Sequence, residues 1–225
     1  MKILGDKLDF QKLYKDLYLP PREPREVLVP EMNFLMVDGQ GNPNNEGGEY
    51  QQAVALLYAI AYTIKMSKMG PVRLPGYVEY AVPPLEGLWW ISGEDGMDYA
   101  KKDLYCWTSM IRQPEFVTED VFQWAISEVR RKKPELDVQK VRLQTFEEGL
   151  CVQMMHIGPY DSEPASIALM AAYMKEKGLR DDIEGLNPDG SVRRHHEIYL
   201  GDPRKSKPEN RKTVLRHPVR REVSP

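Results

Sequence analysis

The sequence predicts an α+β fold built from a duplicated strand–helix–strand–strand unit, with pseudo-twofold symmetry around a central groove. Three observations predict it. The order strand, glycine turn, helix, strand, strand can be read twice along the 225 residues. Two glutamate-centred stretches, Gly76-Tyr77-Val78-Glu79-Tyr80-Ala81-Val82-Pro83 and Arg194-His195-His196-Glu197-Ile198-Tyr199-Leu200-Gly201-Asp202-Pro203, alternate their side chains in the same way. A capped, charged helix stands between the two halves. Aligning Gly41 with Gly158 and Glu79 with Glu197 places both halves in one register.

Residues 1–33 are polar and mixed in charge, and Leu19-Pro20-Pro21-Arg22-Glu23-Pro24 marks them as an extended arm. Val27–Pro30 and Phe34–Val37 supply the first strand material. The first half occupies residues 34–116. After the glycine-punctuated turn Asp38–Asn44, a helix is expected over 49–68. Val54, Leu57, Tyr58, Ala61 and Ile64 lie on one face of it, with Lys65 and Lys68 in its last turn. The Glu79 strand follows, Leu85–Ile91 continues it beyond Pro83-Pro84, and Tyr105–Ile111 closes the half.

Residues 117–135 form the bridging helix. Thr118-Glu119-Asp120 caps it, Val121, Phe122, Ala125 and Val129 make its apolar stripe, and Arg130-Arg131-Lys132-Lys133-Pro134 ends it. The second half, 136–225, starts from the strand Leu150–Ile157 and turns at Gly158-Pro159. Asp161 or Ser162 then caps a helix with Ile167, Met170, Ala171 and Met174 on one face, ending at Gly178. An Asn187-Pro188-Asp189-Gly190 turn leads to the Glu197 strand, and Thr213–Val219 is the last strand material.

Composition excludes several classes of function. With a net charge of −3 there is no basic excess to hold phosphates, so no nucleic-acid partner is expected. No apolar run is long enough for a membrane span, and the first seven residues lack the apolar core of a signal peptide. Cys106 and Cys151 show neither a disulfide framework nor metal spacing, which points to reduced thiols in a cytoplasmic protein. His195 and His196 face opposite ways on a strand and cannot chelate one ion, so neither metal nor other cofactor is expected. There is no G-x-G-x-x-G loop and no Gly-x-Ser-x-Gly elbow.

What remains is a groove. If each glutamate strand gives its apolar side chains to its helix, Glu79 and Glu197 point into the space between two sheets. A carboxylate there pairs with a cation, serves as a general base, or is simply exposed. Trp89, Trp90, Trp107, Tyr160 and Tyr199 supply aromatic surface, and only one of the adjacent pair Trp89-Trp90 can face the groove. Tyr160 follows a Gly-Pro turn, which favours a directed hydroxyl.

Several blocks, in order, resemble one known family. They are Val29-Pro30-Glu31-Met32 with Asp38–Asn44, Pro84-Leu85-Glu86-Gly87-Leu88-Trp89-Trp90, Met110-Ile111-Arg112-Gln113-Pro114, His156-Ile157-Gly158-Pro159-Tyr160-Asp161 and His196–Pro203. Together they are similar to the GyrI-like small-molecule-binding proteins, whose fold is the duplicated, SHS2-type module. The resemblance implies that the carboxylate at Glu197 sits in a central pocket that receives cationic aromatic compounds. Many relatives are effector domains of regulators; 33 residues before the first half are too few for a helix-turn-helix domain, so a stand-alone protein is expected. The Leu88-Trp89-Trp90 and Met110-Ile111-Arg112 blocks look most like stand-alone cyclopropanoid cyclopropyl hydrolases, which use an aromatic cage. The candidate set is therefore Glu197 and Tyr160 for chemistry, with Trp90, Trp107, His156, Tyr199 and Glu79 for contact with a planar aromatic ligand. Two functions stay open: hydrolysis of a strained cyclopropane in a DNA-alkylating compound, and sequestration of apolar aromatic cations without chemistry. Contact with a protein such as gyrase ranks last.

Overall fold

A computed structural model describes residues 7–93, 97–187, 189–202 and 205–221. Pro188 of the expected turn, Pro203 at the end of the Glu197 stretch, and the two chain ends at 1–6 and 222–225 lie outside them. The elements are helices α1 (Phe10–Leu13) and α2 (Lys15–Tyr18), strands β1 (Arg25–Val29) and β2 (Met32–Gln40), helix α3 (Glu49–Met66), strands β3 (Leu85–Ile91) and β4 (Tyr105–Arg112), and helix α4 (Glu119–Lys132). After them come β5 (Val141–Phe146), β6 (Gly149–Ile157), α5 (Glu163–Glu176), β7 (Leu179–Asp181), β8 (His195–Tyr199) and β9 (Lys212–Arg221).

These strands make one antiparallel sheet in the order β1-β6-β9-β8-β3-β4-β2-β5, with β7 paired to β9. One continuous sheet thus replaces the two expected sheets, because β3 and β8 hydrogen-bond to each other at its centre. The order strand, helix, strand, strand occurs as β2-α3-β3-β4 and again as β6-α5-β8-β9, and the strand order mirrors itself about the β3–β8 seam. Gly41 and Gly158 both take positive φ where β2 and β6 end, a conformation that suits a residue without Cβ.

Directly opposed residues on neighbouring strands share a face, so the ladder fixes what each side presents. One face carries a row Val37, Ser109, Gly87, Glu197, Leu215, Met154 and, beside it, a row Gly39, Trp107, Trp89, His195. Helices α3, α4 and α5 pack on this face. Ala53, Leu57, Ile60 and Ile64 of α3 and Val121, Phe122, Ala125 and Val129 of α4 are buried against Val37, Trp107 and Ile111, while Met170 and Met174 of α5 meet Met154 and Leu215. Thr118 caps α4 as expected, accepting from the Val121 amide. On α5 the buried positions are Glu163, Ser166, Met170 and Met174, and Ala171 is exposed.

The other face is covered by the N-terminal segment. Leu8, Phe10, Leu17 and Tyr18 pack on Phe34, Met36, Leu88, Met110, Ile198 and Val214. The expected extended arm is instead two single-turn helices followed by β1, because this face needs an apolar cover and β6 needs a partner strand. Beneath it lies a buried charged network. His196 contacts Glu86 at 3.1 Å and Glu148 at 2.9 Å, Arg216 reaches Glu148 at 2.8 Å and donates to the Leu17 carbonyl, and Tyr18 donates to Glu86.

The Glu79 expectation is corrected here. Residues 76–83 form no strand: Leu8 takes their backbone bonds, through its amide to the Glu79 carbonyl and its carbonyl from the Ala81 amide. Glu79 is exposed and ion-paired with Lys68. Pro83 and Pro84 cannot donate to a ladder, so regular pairing begins only at Leu85. The residue opposite Glu197 is Gly87.

Candidate active site

Strand β8 alternates His195, Glu197 and Tyr199 toward the helices and His196 and Ile198 away from them. The apolar residue goes to the side covered by α1 and α2, the reverse of the expected partition. Glu197 still ends in the interior, at 8% exposure, because the space over the β3–β8 seam is enclosed by the helical layer.

Gly87 leaves a gap beside Glu197 on that floor, into which the Trp89 indole leans. Trp89 Nε1 donates to the Tyr199 hydroxyl at 2.9 Å. Tyr50, in the first turn of α3, stacks obliquely on Trp89 at 5.3 Å and edge-on to Trp107 at 5.2 Å. Tyr105 stands edge-on to Trp89, and Tyr160 edge-on to Tyr199. Gly39 makes room for Trp107, whose ring lies where a Cβ would be. Six aromatic side chains from α3, β3, β4, β8 and the turn before α5 therefore surround one carboxylate.

A second carboxylate joins it. Glu163 is fully buried at the start of α5, and one donor atom from each of Glu163, His195 and Glu197 lies within 4.8 Å of the others. Burial, and then the nearby Glu197 charge, push the Glu163 carboxyl well above the usual carboxylate range, so Glu163 keeps its proton. Tyr99 donates to it at 3.2 Å. Burial followed by the Glu197 charge raises Tyr160 and Tyr105 to about 12, and raises Tyr50 and Tyr199 further, so all four keep their O–H. Two carboxylates and an imidazole at this spacing could accept a divalent ion; His195 is already committed, with Nε2 to Glu197 at 3.1 Å and Nδ1 to His217 at 2.8 Å.

Four buried polar atoms, Tyr105 Oη, Trp107 Nε1, Ser109 Oγ and Glu163 Oε1, have no hydrogen-bond partner among the described residues. Buried polar atoms are as a rule hydrogen-bonded, so these four are groups a polar ligand or water can engage. A cavity of about 190 Å³ adjoins the cluster, lined by Tyr160, Tyr199, Ser206, Asn210, Arg211 and Lys212. A larger one of about 560 Å³, lined by Phe10, Tyr14 and Arg112, belongs to the N-terminal side of the molecule and has none of the cluster's residues in its walls.

Of the residues singled out in the sequence, the fold brings together Glu197, Tyr160, Tyr199 and Trp107. Trp90 is corrected to the opposite face, half-buried with the Arg194 guanidinium 4.5 Å over its ring; Trp89 takes the inward position because β3 alternates. His156 is turned to the N-terminal part of α5. Ser166 donates to its Nδ1 at 2.9 Å, and its Nε2 donates to the Pro159 carbonyl. Glu79 is remote from the cluster, as described above. Sequence reasoning missed Tyr50, Tyr99, Tyr105 and Glu163. Only Glu163 left a signal: it is in helical phase with Ser166, Met170 and Met174, so the buried stripe of α5 runs through a carboxylate.

Residues 22–220 match the family model of the GyrI-like small molecule binding domain. A hydrolase from Listeria innocua is 53% identical, covering 95% of this chain and 100% of its own, with a TM-score of 0.84. An uncharacterized conserved protein from Listeria innocua is 55% identical over 95% and 100%, with a TM-score of 0.88. The EcmrR C-terminal domain, at 12% identity over 89% and 98% with a TM-score of 0.50, shares the fold alone. Among curated proteins no sequence matches.

Proposed function

Because the chain belongs to the GyrI-like small-molecule-binding family, we propose that the Glu197 site receives planar aromatic compounds and hydrolyses a strained cyclopropane conjugated to a carbonyl. The observation that carries this reading is the set of partnerless polar atoms around a carboxylate pair inside an aromatic enclosure. The hydrolase from Listeria innocua supports hydrolysis as the reaction class.

The aromatic walls hold the planar substrate, and Glu197 takes a proton from a water molecule. The water oxygen bonds to the cyclopropane methylene. The ring carbon–carbon bond breaks, and its electron pair moves through the conjugated system to the carbonyl oxygen, leaving an aromatic phenolate. Donors for that developing charge are at hand in Tyr105, Trp107 Nε1 and Tyr199, whose oxygen already accepts from Trp89. Protonated Glu163 keeps a second negative charge away from the phenolate. Strain in the three-membered ring supplies much of the driving force, so a general base and a few donors suffice. Such an activity detoxifies DNA-alkylating compounds.

A second reading, sequestration of hydrophobic aromatic cations with Glu197 as counter-charge, is favoured by the carboxylate among ring faces. Incubation with a tenfold excess of a cyclopropane-bearing planar alkylator separates the two. Product well beyond one equivalent is expected, as is its loss in Glu197→Gln. Protection that stops at one equivalent would establish the binder instead.

A further inference from the structure

Three hydrogen bonds lead away from Glu197 across β8 and β9 toward β7. His195 Nε2 lies 3.1 Å from Glu197 Oε1, His195 Nδ1 lies 2.8 Å from His217 Nε2, and His217 Nδ1 lies 3.1 Å from Asp181 Oδ2. The two imidazoles meet edge-on, with centroids 4.9 Å apart. His195 and His217 are buried, at 2% and 5% exposure, whereas the Asp181 side chain is 46% exposed at the short strand β7. The chain of bonds thus begins in the interior and ends in water. Nothing in the sequence announces it: the histidines are 22 residues apart and come together because β8 pairs with β9.

We propose that Asp181, His217 and His195 form a proton relay that connects Glu197 to solvent behind the bound ligand. The proposal rests on Glu197 being the base that takes a proton from water. With one proton on each bond of the chain, a concerted shift moves the proton from Glu197 to His195 Nε2. The Nδ1 proton of His195 then goes to His217 Nε2, and the Nδ1 proton of His217 goes to Asp181. Each imidazole gains one proton and gives one up, so no net charge is left in the core. Solvent takes the proton from Asp181, and the released phenolate takes one from solvent, so the reaction adds one water overall; once product has left, a proton taken up at Asp181 runs the chain in reverse and leaves Glu197 to water at the opened front, which restores the starting arrangement. A planar ligand filling the enclosure shuts off the front, which makes a rear path the way to regenerate the base.

The electrostatic setting suits this role. Burial, reinforced by the neighbouring His195, lowers His217 below the ordinary imidazole value, so His217 passes protons rather than storing one. Burial alone would raise Asp181, but the hydrogen bond from His217 outweighs it and holds the carboxyl low, so Asp181 stays ionised and gives up to solvent a proton passed to it. The titratable groups facing the chain are Glu163 from α5 and Glu197 beside His195, and Asp181 from β7 beside His217; Val152 of β6, opposite His217, is apolar.

The test has one arm that needs no turnover. Imidazole nitrogen shifts are recorded by NMR across pH for the wild type, Glu197→Gln and Asp181→Asn. Removing the Glu197 charge is expected to shift both His195 and His217, and Asp181→Asn to shift both from the other end. A His217 signal indifferent to Glu197→Gln would overturn the relay whether or not the protein is a hydrolase. In the kinetic arm, Asp181→Asn, at the exposed end and compatible with folding, is expected to lower kcat several-fold with KM unchanged and to displace the pH–rate profile. His217→Ala is expected to lose more and to regain turnover with added imidazole. Wild-type kcat in Asp181→Asn at every pH, or no rescue of a folded His217→Ala, would overturn the proposal. Absence of wild-type turnover would sink the hydrolase reading alone, leaving the NMR arm to decide the relay.

Discussion

At Gly87 a methyl group would come 2.7 Å from Trp89 Nε1 and 3.4 Å from the Tyr199 hydroxyl. Gly87→Ala is therefore expected to break the Trp89–Tyr199 bond and fill part of the space beside Glu197. Stability should fall by about 1–3 kcal/mol, with weaker binding of a planar dye in fluorescence titration. Gly39→Ala would drive a methyl into the Trp107 ring, and thermal melts should show the larger loss. Glu197→Gln keeps the shape and one acceptor but removes the base, so turnover should drop by about 10²–10⁴, measured as product formation, while neutral dyes bind as before. Glu163→Gln preserves a neutral side chain at a site where the carboxyl is already protonated, and a much smaller loss is expected. An equal loss would mean that both carboxylates must ionise.

Between elements, the decisive contact is the charged network that fastens α2 to the sheet. Glu148 is buried beside His196 and Arg216; burial alone would raise its carboxyl, but those two cations hold it down to about 2. His196 is affected first by burial, which lowers it, but Glu148 and Glu86 outweigh that and raise it above the ordinary imidazole value. The Glu148 contribution is present above the ordinary carboxylate pKa and disappears as pH falls toward 2. The His196 contribution is complete below the ordinary imidazole pKa and disappears as pH rises through its raised folded value. Stability measured by urea unfolding should thus be greatest between about pH 4.5 and 6.5 and decline on both sides. Arg216→Met leaves Glu148 short of a partner and should cost about 3–5 kcal/mol in the same assay.

At the scale of the whole molecule, the mirrored strand order leads us to propose that residues 34–116 and 136–225 are two half-modules joined by α4. The coordinates of β2-α3-β3-β4 and β6-α5-β8-β9 should then superpose by a rotation about the β3–β8 seam. Gly87 stands opposite Glu197, so one half supplies the carboxylates and the other most of the aromatic wall. No helix among the described residues is long and apolar enough to cross a membrane. Purified protein treated with a chelator is expected to keep its Tm, because His195 is already bonded to Glu197 and His217, and Glu163 to Tyr99. A fall in Tm would assign them to a metal ion.

Local pattern alone determined the α+β class, the two helices α3 and α5 and the capped helix between them. Each of these follows from alternation, helical spacing or a cap, which short stretches of chain carry by themselves. The family resemblance supplied the idea of an aromatic enclosure. Only the tertiary structure decided which residues build it. Strand pairing chose Trp89 over Trp90, since a one-residue step reverses the face. The N-terminal segment drew residues 76–83 off the sheet and left Glu79 in solvent. Tyr50, Glu163, His217 and Asp181 come from elements far apart in the chain, and their meeting depends on the order β9-β8-β3-β4 and on where α3 and α5 pack. Such contacts are set by the burial of whole faces, and no single stretch of sequence records them.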